Sequence, residues 1–486
     1  MKLRRQQIDH WPKLSWCANV AADTVNVLHG CRVEYADEWV FEGTWAGEFW
    51  RADFDLEVPV IIGTGIRLRD NTVSFICSTS PLDRLFYVDR KKELLVSNSL
   101  ACLLSVSNLR LDPAFPYSKA LSRYLNNHGH LPRNLPTLDG DEIRVLIYDK
   151  LCYSKGALEE RTHAEHNFTS FEEYEHFLNT TISTIRSNLQ DGKRRFKVAP
   201  VVTISKGYDS AASAAIAKPL GIRSALTISH VGISKHDDSG QDVAETLGIP
   251  VKSVISRLSA YRDYDLVWAG LGEPFDLNMT IFDYPDDLTL LVVGTHGDIV
   301  WQKGLKQKFI DSHHFVDRDG DTSGCGLTEW RLHKGVFLAS IPCIGASRLD
   351  CLKQINDSSA MNPWRIGGDY DRPIPRRILE QQGVRRGTFG IKKRATIAGY
   401  RFYPNVPDQL SDLAAFLEQH GKRLPRKFGR LTEPVHFFRS KLGDLYHKRK
   451  KKWKSFACFA LPDYADLFFV WANNRLAKNN YFVERE

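Results

Sequence analysis

From Phe196 onward the chain alternates apolar runs of strand length with helix-prone segments, and this alternation limits the possible folds more than any other feature. Val198–Ile204 is apolar and strand-length, and Ala211–Ala217 favours helix because alanine loses no side-chain freedom there. Ser224–Ile228 reads as the next strand and Asp238–Leu247 as the next helix, ended by Gly248 and Pro250. Val251–Ile255 and Thr289–Val293 are further strands. Strands connected through helices run parallel, so this region is expected to be α/β, a doubly wound parallel sheet. From Gly304 to Asn362 the pattern weakens and reads mostly as helix.

The first 160 residues read differently. Val58–Ile62, Thr72–Cys77, Leu85–Asp89, Glu93–Asn98 and Glu142–Tyr148 are short β-branched or aromatic runs between turn residues, with Asp89-Arg90-Lys91-Lys92 as a hairpin turn. Ser170 is placed to cap a helix whose buried face is Tyr174, Phe177, Leu178, Ile182 and Ile185, stopping near Gly192. A chain of 486 residues has room for about three average domains. The expected division is a β-rich α+β unit over 1–160, an α/β unit over 161–400 and a basic, mostly helical extension over 401–486.

Composition narrows the class. With 43% hydrophobic and 26% charged residues, disorder and low complexity are excluded. Leu467–Ala472 is among the longest apolar runs, well short of the ~20 residues of a membrane helix. Met1–Lys13 carries charges and Pro12 where an export signal has an apolar core. Nine cysteines with no Cys-x-x-Cys spacing argue against a disulfide framework or structural zinc, and the expectation is a cytoplasmic protein.

The net charge of +8 is concentrated late: Lys422–Lys454 holds 13 Lys or Arg against Glu433 and Asp444. Its densest run, His447 to Lys454, could hold nucleic-acid phosphates, with Trp453 as a stacking platform. A solvated helix face or loop is the commoner fate of such a run, so nucleic acid is not the favoured partner.

The sharpest motif is Ser205-Lys206-Gly207-Tyr208-Asp209-Ser210, between the first strand of the alternating region and its Ala-rich helix. In an open α/β sheet that junction lies at the carboxyl edge, where ligands bind. Gly207 permits a tight turn, Ser205 and Ser210 offer hydroxyls, and helix-start amides suit a phosphate. Asp209 beside such a nest makes sense as a ligand of magnesium shared with the phosphates. The Walker pattern is absent, which disfavours a γ-phosphate NTPase.

This loop resembles the Ser-Gly-Gly-x-Asp-Ser pyrophosphate loop of the ATP pyrophosphatases that include asparagine synthetase. Other matching pieces follow in order. Glu273-Pro274-Phe275 resembles an acidic Asp-Glu-Pro stretch, and Leu290 to Asp298 resembles the strand and Gly-Glu-Gly-x-Asp loop with a second magnesium carboxylate. Asp371 to Arg377, leading to Gly390-Ile391-Lys392-Lys393, resembles the late basic segment whose lysine nears the reacting centre. Upstream, Pro81 to Tyr87 and Leu94 to Asn98 resemble segments of the family's glutaminase domain.

The resemblance implies an Ntn-hydrolase-like first domain and an adenine nucleotide α-hydrolase-like second one. It implies ATP and Mg2+ as cofactors, held by Ser205, Lys206, Gly207, Asp209, Ser210, Gly294 and Gly297, with Asp209 and Asp298 on the metal. Lys392 or Lys393 is the candidate cation for the transition state, and Glu273 a candidate for positioning the substrate amine. Arg372, Arg376 and Arg377 are either bidentate anion ligands or a solvated helix face. His296 is either a base or a turn cap.

The departures are informative. Lys2 stands where the family's glutaminase has its nucleophilic cysteine, and the first cysteine, Cys17, lies inside the chain. Without a free α-amine as base, glutamine hydrolysis is not expected. Thr295 stands where the family has glutamate, and Ile299 where a second acid is common. The expected activity is ATP-dependent amide formation on a small-molecule or peptide carboxylate through an acyl-adenylate. The alternatives are adenylation of a nucleic-acid base and a catalytically silent binding module.

Overall fold

The computed structural model describes residues 1–90, 93–125, 133–230, 238–255, 263–271, 274–285, 288–302, 324–368, 370–391, 404, 406–424 and 462–481. Glu273, Lys392, Lys393 and nearly all of the basic segment lie outside the described residues.

Among the described residues of 1–161, thirteen strands form. They are β1 (Lys2–Gln7), β2 (Trp16–Ala21), β3 (Thr24–His29), β4 (Glu34–Ala36), β5 (Trp39–Trp45), β6 (Ile61–Arg69) and β7 (Thr72–Ile76), followed by β8 (Leu85–Arg90), β9 (Glu93–Ser97), β10 (Asn134–Pro136), β11 (Glu142–Leu146), β12 (Lys150–Ser154) and β13 (Ala157–Arg161). One sheet has the order β1-β3-β2-β9-β8-β11-β10 and the other β13-β12-β7-β6-β5-β4. Their facing sides share a core of alternating residues, with Val20, Val25, Leu85 and Val96 from one sheet against Ile66, Val73 and Phe75 from the other. Trp16 stacks on Phe75 at 6.3 Å, and its indole N–H donates to Thr64 Oγ1 across the two sheets.

β8 and β9 pair antiparallel, with Arg90 opposite Glu93, while Lys91 and Lys92 of the expected turn lie outside the described residues. The strand expected at Val58–Ile62 starts only at Ile61 and runs on to Arg69, with Val58 and Val60 buried in its approach. β1 to β5 had no clear sequence signal. The edge strand β1 is almost wholly polar, and it pairs in parallel with β3 through backbone bonds that carry no side-chain signature.

Helix α1 (Leu100–Ser107) is capped by the Ser99 hydroxyl, and α2 (Tyr117–Leu125) follows. Helix α3 (Phe171–Leu189) begins where expected: Ser170 Oγ accepts the Glu173 amide at 3.2 Å, and the Glu173 carboxylate accepts the Thr169 amide at 2.7 Å. This reciprocal cap is worth about 1 kcal/mol.

The third sheet is parallel throughout, as the alternation implied. Its strands are β14 (Val198–Thr203), β15 (Ser224–His230), β16 (Val251–Ile255), β17 (Leu288–Val293) and β18 (Val336–Ser340), in the order β16-β15-β14-β17-β18. β18 forms inside the stretch read as mostly helical. It is a five-residue, fully buried strand, too short to separate from a helix by periodicity.

The connecting helices are α4 (Tyr208–Ala217), α5 (Gln241–Thr246), α6 (Tyr264–Ala269), α7 (Pro274–Leu277), α8 (Gly297–Val300) and α9 (Thr328–Lys334). Four more follow: α10 (Leu349–Asp357), α11 (Pro373–Gln381), α12 (Pro407–Gln419) and α13 (Pro462–Arg475). α5 covers only the second half of the helix expected at Asp238–Leu247. Five of the ten residues of α4 are alanine because its second half is covered on all sides: Ala211, Ala212, Ser213, Ala214, Ala215 and Ala217 are all buried.

The sandwich and the parallel-sheet region are fastened by buried charge. The Arg331 guanidinium of α9 donates to both Glu42 oxygens at 2.8 and 2.9 Å and contacts Asp83 at 2.5 Å. Glu329, two residues earlier in α9, accepts from Ser99 at 2.8 and 3.0 Å and from the Ala101 amide, so a carboxylate of α9 helps to cap α1. α13 packs against α6, α2 and α1, and carries the Leu467–Ala472 run as a buried face. Among the described residues no helix is long and apolar enough to cross a membrane.

Candidate functional site

The strand order places the site. β15 and β16 extend the sheet to one side of β14, while β17 and β18 extend it to the other. The chain therefore leaves β14 and β17 in opposite senses, opening a crevice at the carboxyl ends of these two neighbours. The Ser205–Ser210 loop follows β14, and Gly294–Asp298 follows β17.

Two glycines bring these loops into contact. A Cβ on Gly294 would lie 2.4 Å from the Ser210 nitrogen, and one on Gly297 would lie 2.6 Å from Asp209 Cβ, Cγ and Oδ1. Their role is to permit this approach, which brings Gly297, the residue before Asp298, against the Asp209 side chain. The two loops that carry the carboxylates read from sequence as metal ligands therefore touch, although 89 positions separate Asp209 from Asp298.

The Ser205–Ser210 loop is cross-braced. Ser205 and Ser210 hydroxyls are 2.9 Å apart, Ser210 Oγ accepts the Ser205 amide at 3.0 Å, and Ser205 Oγ accepts the Gly207 amide at 3.1 Å. The Lys206 amide donates to the Asp238 carbonyl at 3.2 Å. The amides of Ser205, Lys206 and Gly207, which precede the helix start, therefore already have partners inside the protein. Gly207 also differs from expectation. Its φ of −71° is open to any residue, and a Cβ there would sit 3.2 Å from Ser205 Oγ, so close packing, not a left-handed turn, favours glycine.

The arginines of the late basic segment are buried, which overturns the solvated-face alternative. Arg376 donates to the Tyr208 hydroxyl and lies over the Tyr208 and Phe389 rings. Arg377 pairs with Glu172 at 2.5 Å and stacks on Phe171 and Trp364. Arg372, with a side chain only 4% exposed, donates to both oxygens of Asp209. Burial lowers the pKa of this guanidinium, but Asp209 and then Asp298 outweigh burial and hold it above its ordinary value. Arg372 is thus paired with Asp209, and Asp298 lies close enough to add to the field that keeps it charged.

A feature not read from sequence is the aromatic clamp around Tyr208. Tyr370 and Phe389 approach its ring at 4.9 and 5.8 Å. Gly390, at φ +62°, lies so close that a Cβ would come within 2.3 Å of the ring, and its amide donates to the Lys206 carbonyl at 2.8 Å. The segment leading toward Lys392 and Lys393 is thereby stapled to the loop, although both lysines lie outside the described residues, as does Glu273. The only hint in the sequence was Gly390 itself, one of 33 glycines.

His296 is no base for the crevice. Its ring is 1% exposed and its two nitrogens face Cys325 Sγ at 3.9 Å and Cys343 Sγ at 3.6 Å. In the sandwich, burial raises the Cys17 thiol to about 12, partly offset by Ser97, so almost no thiolate forms at neutral pH.

Among the described residues, no cluster of three or more His, Cys, Asp or Glu could hold a metal ion. Two carboxylates flanked by hydroxyls suit a magnesium ion that takes its remaining ligands from phosphate and water, as this hard ion usually does. The residues fit such an ion once Arg372 releases Asp209.

No family model and no curated protein matches this chain.

Proposed function

We propose that this protein is an ATP-dependent, AMP-forming ligase of the asparagine-synthetase-like type, making amide bonds without hydrolysing glutamine. The supporting observation is the close contact, through Gly294 and Gly297, of the loops carrying Asp209 and Asp298 at the switch point of a parallel sheet. In this reading the sandwich is an Ntn-hydrolase-like domain without a nucleophile, and the parallel sheet is the nucleotide-binding unit.

The chemistry has two steps. A substrate carboxylate oxygen attacks the α-phosphorus of ATP; the bond to the bridging oxygen breaks and pyrophosphate leaves. An amine then attacks the acyl carbon, AMP departs with the bonding pair, and the amine gives up a proton. Magnesium would supply charge neutralisation across the phosphates. Ser205 and Ser210 would orient the pyrophosphate, and Asp209 and Asp298 would hold the metal. Because Cys17 is sealed and uncharged, the amine is either free in solution or part of the substrate itself, the latter closing a ring.

Pyrophosphate release with Asp209→Ala and Asp298→Ala tests the proposal. Each is expected to lose at least about a hundredfold in rate, and full activity in both would overturn it. A second reading, a nucleotide-binding module without turnover, draws on the internal bonding of the loop amides. ATP binding by calorimetry with no pyrophosphate release over a panel of carboxylates would favour it.

A further inference from the structure

Arg372 stands apart from its neighbours on the same segment. Arg376 and Arg377 are held by rings and by acids remote from the crevice, namely Glu380 and Glu172. Arg372 instead sits just before α11, packs 5.1 Å from the Tyr370 ring, and directs its guanidinium at a carboxylate of the site. Asp371 anchors this approach by accepting the Ile366 and Gly367 amides at 3.2 and 3.1 Å.

A guanidinium does not lose its proton at any ordinary pH. A divalent cation approaching Asp209 alone therefore meets a like charge at hydrogen-bond distance from the same oxygens. A metal–triphosphate complex is different, because two oxygens of a phosphate group offer the Arg372 fork a negatively charged partner at least as good as a carboxylate. We infer that Arg372 is an exchange partner: it holds Asp209 until a metal–nucleotide complex enters, then transfers its guanidinium to the phosphates. This rests on the ligase reading and adds to it that metal and nucleotide bind as one unit, neither bare metal nor metal-free nucleotide being well held. The coupling is reciprocal, as any linkage between two ligands must be.

The test uses manganese(II), followed by electron paramagnetic resonance, with and without an α,β-methylene analogue of ATP, on the full chain. The wild-type protein is expected to bind manganese at least about tenfold more tightly with the analogue than without it. Arg372→Met should bind manganese alone about tenfold more tightly than wild type and the analogue about tenfold more weakly. Arg372→Lys, which retains the charge without the fork, should exclude free manganese like wild type yet still bind the analogue weakly. It carries the comparison if Arg372→Met melts early.

Wild-type manganese affinity in Arg372→Met, or unchanged coupling in either variant, overturns the inference while the ligase reading stands on nucleotide binding and pyrophosphate release. A wild-type protein that binds no analogue with any metal brings down both.

Discussion

In the sandwich, Glu42 and Asp83 are sealed from solvent and share Arg331; at the crevice, Asp209 pairs with Arg372 and Asp298 adds to the field around it, with the Asp209 side chain still 23% exposed. The same chemical grouping, two acids and one arginine, thus appears twice with opposite access to water. Around Arg331 the geometry is bidentate and supplemented by Thr64 and Asn98, so every ion has several partners and none can leave cheaply. Around Arg372 the acids lie in the first turns of α4 and α8, with Asp209 partly open to solvent, where an arriving anion can compete. In the proposed reading, access decides whether such a group fastens a structure or responds to a ligand.

Breaking the sealed triad should give the largest effect. Arg331→Met is expected to destabilise the protein by about 3–5 kcal/mol, because it strands two buried carboxylates, and denaturant unfolding measures this. The corresponding change at the crevice, Arg372→Met, should shift stability far less, so similar losses for both would erase the contrast.

Glu329 provides a pH test of the sealed side. Burial raises its carboxyl to about 7 against the opposing pull of Ser99, the amides of Ala101 and Leu100, and Arg331. Between the unfolded value near 4.5 and about 7, the folded protein keeps a proton that the unfolded chain has released. The contribution is therefore complete below about pH 4.5 and lost as pH rises through 7, by at most about 3 kcal/mol. Glu329→Gln should flatten that part of the stability profile; an unchanged slope would assign it to other groups, such as Asp149, which burial raises to about 6.

Gly390→Ala is expected to cost about 1–2 kcal/mol for its left-handed backbone, plus displacement of the Tyr208 ring, and to lower pyrophosphate release more than the melting temperature. The smallest effect is expected from Cys17→Ala. It should cost about 1 kcal/mol by thermal melting and leave pyrophosphate release unchanged, whereas a drop in ligase rate would give the sandwich a chemical role.

How far the sequence revealed this structure follows from what each element needed. The parallel sheet was visible because β14, β15, β16 and β17 are apolar runs separated by helix-prone segments. The crevice loops were visible because serine, glycine and aspartate cluster at a strand end. β1 was not, since an edge strand can be built from Arg4, Arg5, Gln6 and Gln7 when its neighbour supplies the backbone partners. β18 was masked by its complete burial. The pairing of Arg372 with Asp209 spans 163 positions, and no local pattern encodes a contact of that range.

Arg331 is inherited with one half of the chain and both its counter-ions with the other. Expressed by itself, either half would carry ions evolved for a missing neighbour: a bare guanidinium against an apolar wall, or two orphaned acids. Gene fission, or recombination importing a foreign first half, would succeed only if a matching acid pair came with it. The join is a lineage constraint that holds even if the sandwich has no chemistry of its own.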